Sequence, residues 1–180
     1  CWVGDVTTGS GGLAARANLT YSFVADGVGW GNACASPVPA YPGNACDLGA
    51  KLTTRFGTLD AGREYVRSAL AAWRKVIGVT YTEVADDGSA WDSSNTTGPV
   101  RSALRGDIRI GGYPMGTSGM PLAYNAFPKL SNPLGCSGGD MNINTSYFIS
   151  GAFNNVSSPF GSAAPDALYF LNTVAHEHGH

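Results

Sequence analysis

The last five residues, His176-Glu177-His178-Gly179-His180, hold all three histidines of the chain. Histidines at i and i+4 lie one turn apart on the same face of a helix. His176 and His180 can therefore both reach one ion at the zinc–nitrogen distance of about 2.0–2.1 Å. A glutamate directly after the first histidine projects near that ion without ligating it. Glu177 is placed to take a proton from a metal-bound water, whose pKa zinc lowers towards about 7. This is the mechanical content of the pattern H-E-x-x-H. His178 points about 200° away from His176 at 3.6 residues per turn and reads as a bystander. The competing reading is a histidine-rich, frayed tail that binds metal incidentally.

The preceding segment favours a built site. Pro165-Asp166 suits a helix start, since proline fits the first turn and an aspartate there complements the helix dipole. Ala167 to Ala175 is apolar nearly all round, which predicts a buried helix running into the histidines. A second helix is expected from about Asp60, as N-cap, to Ile77. Val66, Ala69, Leu70, Trp73, Val76 and Ile77 form one apolar stripe, and Gly78 is the stop. Alternation and β-branched content predict strands at 19–24, 79–84, 107–110, 122–127 and 140–144. The 122–127 strand, closed by Pro128, suits a sheet edge. Residues 27–57, 85–105, 111–120 and 149–164 read as loops. Strand, helix, three or four strands and helix make an α/β chain with a mixed sheet, in a single domain over 1–180.

Charged residues are 13% of the 180, against roughly a quarter in an ordinary domain. A net charge of −2, with eleven basic residues, argues against nucleic acid as a partner. No apolar run is long enough to span a bilayer, and a monomer is expected. Four cysteines, Cys1, Cys34, Cys46 and Cys136, suggest an oxidising, extracellular setting. The proline-rich stretch between Cys34 and Cys46 is the best candidate for a disulfide-closed loop, with Cys1 and Cys136 as a second pair; four reduced thiols are the alternative. Scarce lysine and Asn-X-Ser/Thr at Asn18, Asn95, Asn144 and Asn155 also point to secretion. Both ends read as trimmed or processed, with residues 1–18 an N-terminal arm or a propeptide remnant.

The ordered set of segments resembles the matrixin-type metzincin zinc endopeptidases. Leu19 to Val24, Arg63 to Val84 and Asp107 to Ile110 are similar to that family's first strand, first helix with second strand, and third strand. Leu122-Ala123-Tyr124-Asn125-Ala126-Phe127-Pro128 resembles the edge strand that aligns a peptide substrate. Gly139 to Asn144 resembles the fifth strand, and Leu168 to His180, with Gly179, the zinc helix. The resemblance implies a zincin-like fold, a twisted mixed sheet of five strands with two long helices. It implies catalytic zinc held by His176 and His180, Glu177 as general base, and substrate held along Leu122, Ala123, Tyr124, Asn125 and Ala126. The substrate would be a protein or peptide.

Departures from the family matter too. Its zinc helix continues to a glycine, a third ligand and a methionine turn, which would follow His180. A gluzincin-type peptidase would instead place a glutamate on a later helix, and a degenerate motif would leave a non-catalytic interaction module. Asn142 stands where a structural-zinc ligand would be, so no histidine-ligated structural zinc is expected. Calcium through loop carbonyls and Asp140 stays open. Cys1-Trp2-Val3-Gly4-Asp5-Val6 resembles a cysteine-switch segment, with a disulfide from Cys1 as the other reading.

Overall fold

A computed structural model describes residues 18–29, 45–89, 106–125, 140–150 and 166–179. Its elements in chain order are β1 (Asn18–Phe23), α1 (Leu48–Phe56), α2 (Leu59–Ile77), β2 (Thr80–Glu83), β3 (Ile108–Tyr113), β4 (Ala123–Asn125), β5 (Met141–Asn144), α3 (Tyr147–Ser150) and α4 (Asp166–His178). The strands form one mixed sheet in the order β2-β1-β3-β5-β4. β1 runs parallel to β2 and β3, and β3 parallel to β5. β4 is antiparallel to β5, with Ala123 opposite Ile143 and Asn125 opposite Met141, and it forms the sheet's edge. The chain is therefore α/β.

Side chains alternate across a strand, so each strand serves two layers. Ile108, Ile110, Met141 and Ile143 face one way and pack with Leu48 and Leu52 of α1, Val66 and Leu70 of α2, and Phe170 and Val174 of α4. Burying each such side chain contributes about 1.5–3 kcal/mol. Arg109 and Tyr113 alternate with Ile108 and Ile110 and face the opposite way, yet they too are buried. Arg109 makes a two-pronged pair with Asp86, through Nε at 2.9 Å and a terminal nitrogen at 2.6 Å. Asp86 also accepts from the Ser22 hydroxyl at 2.8 Å. Burial raises the Asp86 pKa, but the Arg109 and Ser22 hydrogen bonds outweigh it and hold the carboxyl below its usual range.

Several expectations need correction. Residues 48–56, read as part of a long loop, form α1. The cap is remote: the Asp26 carboxylate accepts from the backbone N–H of Gly49 at 2.8 Å and Ala50 at 2.7 Å. The N-cap of α2 is Thr58, whose hydroxyl accepts from Ala61 N–H at 3.1 Å, so Asp60 lies inside the helix and pairs with Arg67. Gly78 does end α2, at φ 66° in the left-handed region. The apolar stripe of α2 is buried only as far as Leu70. Trp73 is half-buried, and Val76 and Ile77 are exposed among the described residues. β3 extends through Gly111 and Gly112 to Tyr113, beyond the expected stop at Ile110.

Cys46 is buried with its thiol 3.6 Å from the Val24 carbonyl, and it makes no disulfide among the described residues. Burial raises its pKa. Cys1, Cys34 and Cys136 lie outside the described residues. Asn144 is fully buried and its amide donates to the carbonyls of Gly116 at 2.7 Å and Pro121 at 2.9 Å, so this Asn-X-Ser site is closed to a glycan. Among the described residues no helix is long and apolar enough to cross a membrane.

Candidate metal centre

The site is built on the C-terminal half of α4. Phe170, Thr173 and Val174 are buried, while Asn172 and His176 are exposed. Over residues 170–178 the helix is thus buried on one side only, not all round as its composition suggested. Asn172 and His176 are one turn apart, so the exposed stripe leads to the histidine. Glu177, the next residue, is half-buried. His180 lies outside the described residues.

Three neighbours hold this last turn. Trp73 of α2 donates its indole N–H to the Ala175 carbonyl at 2.8 Å. The Tyr81 hydroxyl of β2 shares a 2.6 Å hydrogen bond with His178 Nε2. Both aromatic rings meet the His178 ring edge-on, with centroids 6.1 and 5.1 Å away. Burial lowers the His178 pKa to about 4, so the ring is neutral near pH 7. Its Nδ1 is buried without a hydrogen-bond partner. His178 is therefore a packing residue turned towards α2 and β2, as the helical wheel implied. The third neighbour is Asn125 of β4, whose Nδ2 donates to the Glu177 carbonyl at 3.0 Å.

Of the residues expected to line a substrate strand, Ala123, Tyr124 and Asn125 form β4, and Leu122 precedes it, half-buried. Ala126 lies outside the described residues. Ala123 is buried in the core, and the Tyr124 hydroxyl faces the Tyr113 hydroxyl on the other side at 3.4 Å. Burial, with the Tyr113 hydroxyl beside it, raises the Tyr124 pKa. The structure thus brings β4 against the Glu177 turn. Asp140, buried just before β5, has its carboxylate accepting from the Arg109 backbone N–H of β3 at 2.8 Å. Asn142, buried, stands at the centre of β5.

Among the described residues no group of three or more His, Cys, Asp or Glu converges on a point that could hold a metal ion. Of the two histidines expected to bind zinc, only His176 lies among the described residues; it sits on the exposed stripe, next in sequence to Glu177, while His178 is packed against Tyr81 and Trp73. The sequence showed no sign of the Trp73, Tyr81 and Asn125 contacts. Trp73 was legible only as part of an apolar stripe, and the other two only as strand residues. The sequence matches no known family profile and no curated protein.

Proposed function

We propose that the chain belongs to a secreted, monomeric zinc-dependent endopeptidase of zincin-like fold, similar to the matrixin-type metzincins. The observation that carries this reading is the placement of His176 and Glu177 at the end of a half-buried helix, tied directly to an antiparallel edge strand. A frayed tail would have neither the helical phase nor the tie.

On this reading His176 and His180 would hold the metal, which would supply a Lewis acid at the site. Glu177 would take a proton from the attacking water as its oxygen adds to the scissile carbonyl, and would return that proton to the amine as the C–N bond breaks. A peptide pairs with the open edge of β4 as an added strand, using backbone hydrogen bonds. The resemblance puts the third ligand after His180, so the test uses the natural polypeptide. Hydrolysis of an unstructured protein should be abolished by a chelator and restored by zinc. Glu177→Ala should lower the rate about 10²–10⁴-fold, the usual worth of a positioned acid–base group. Full activity in Glu177→Ala overturns the mechanism, and activity indifferent to chelation overturns the zinc assignment.

A further inference from the structure

Asn125 is the last residue of β4, and its side chain reaches across to the backbone of Glu177 at 3.0 Å. Glu177 lies in the final turn of α4, where carbonyls run out of intrahelical donors. The His176 carbonyl accepts from Gly179 N–H at 3.0 Å, and the Ala175 carbonyl from the same N–H at 3.3 Å and from the Trp73 indole at 2.8 Å. The Glu177 carbonyl is served from another element. A carbonyl only accepts, so the amide must present Nδ2 to it. Oδ1 is then left buried without a hydrogen-bond partner. An unpaired buried amide oxygen is unfavourable, so the geometry keeps this amide in place for what its nitrogen does.

Strand alternation adds a second observation. Ala123 and Asn125 lie on one face of β4 and Tyr124 on the other, against Tyr113. The Asn125 side chain points to the chain's own helix, so a peptide on the outer edge of β4 would be held by backbone groups.

We infer that Asn125 is a positioning residue that sets the register between the peptide-holding edge strand and the general base Glu177. This rests on the endopeptidase reading above. A peptide paired to β4 has its scissile carbonyl placed relative to β4, whereas Glu177 is placed relative to α4. The Asn125 amide joins the two frames. A misplacement of about 1 Å at such a junction can cost about 10²-fold in rate, and loss of one hydrogen bond permits a fraction of that.

The test compares Asn125→Ala, Asn125→Asp and Asn125→Gln in the natural polypeptide. Asn125→Asp keeps the shape but puts an acceptor where the donor was, and Asn125→Gln keeps a donor on a longer arm. With rates taken per zinc-loaded site, kcat should fall about tenfold in Asn125→Ala and further in Asn125→Asp, with KM within about twofold. Asn125→Gln should recover part of the loss. Zinc affinity, read by competition with a chelator, should stay within about threefold of wild type. An unchanged kcat, a change in KM alone, or a parallel loss of zinc affinity overturns the inference. In the zinc-free wild-type protein the Asn125 side-chain amide protons should exchange slowly with solvent, and fast exchange overturns it even if no variant folds. A wild-type polypeptide that hydrolyses nothing sinks the endopeptidase reading, whereas slow amide exchange would still uphold the Asn125–Glu177 link.

Discussion

Trp73 donates its indole N–H to the carbonyl of Ala175, the residue before His176, at 2.8 Å. The bond joins the C-terminal part of α2 to the last turn of α4 and holds the two helices together beside His176. Trp73→Phe keeps most of the ring and removes only the donor. It should lower stability by about 0.5–1.5 kcal/mol, the net worth of one hydrogen bond. Urea denaturation reads this as a lower midpoint with an unchanged slope. An unchanged midpoint would mean that the bond contributes nothing.

Gly179 lies against the same indole. A Cβ there would come within 2.7 Å of the Trp73 ring, at an edge that cannot retreat without breaking the bond to Ala175. Gly179→Ala should therefore cost about 1–3 kcal/mol, as overpacking does. The double variant with Trp73→Phe separates the causes. If the clash is with the indole, the two losses will not add.

The Arg109–Asp86 pair is nearly sealed from water, with side-chain exposures of 2% and 5%. Removing Asp86 takes away the two-pronged partner and leaves the guanidinium with Asp87 at 3.8 Å and the Ser89 carbonyl at 3.0 Å. Asp86→Ala should destabilise the fold by about 3–5 kcal/mol. Thermal unfolding that shifts by only a degree or two would show that the guanidinium finds other partners, and would sink this estimate.

The same pair predicts a pH dependence. The Asp86 carboxyl titrates lower in the folded chain than its ordinary value of about 3.9. The folded state thus binds fewer protons than the unfolded one near that pH, and stability rises with pH there. The contribution is complete above about pH 4 and is lost as pH falls through the folded value. Glu83, lowered chiefly by its hydrogen bonds with Arg67, adds to the same window. Denaturant midpoints measured from about pH 6 downwards should fall steeply only at the acid end, and Asp86→Asn should flatten that limb.

Asp26 caps α1 through both carboxylate oxygens. Asp26→Ala should cost about 0.5–2 kcal/mol, with amide exchange accelerated first at Gly49 and Ala50. Uniform acceleration across the chain would argue that the cap is not local to α1.

Particular elements show what could be read in advance. α2 was legible because Val66, Ala69 and Leu70 recur at helical spacing and Gly78 must end the run in the left-handed region. α1 was hidden because its cap, Asp26, lies more than twenty residues upstream, separated by a segment whose prolines and glycines read as loop. The ends of α2 erred for a related reason. Apolar spacing shows which side chains share a face, yet Val76 and Ile77 stay exposed because nothing among the described residues covers them. Asn144 scored as a possible glycan acceptor by its neighbours in sequence. Two carbonyls of the 116–121 loop, brought to it by the fold, take up its amide.

The sequence by itself determined the ingredients of the site: imidazoles one turn apart, a carboxylate beside the first, and His178 turned away from both. Helical geometry links neighbours within a turn, so those relations need no tertiary information. Tertiary structure alone decided what stands next to that turn. Trp73, Tyr81 and Asn125 approach it from sequence positions more than fifty residues away. Hydrogen bonds across such separations depend on the sheet order and the packing of α2 on α4, and neither periodicity nor spacing encodes them.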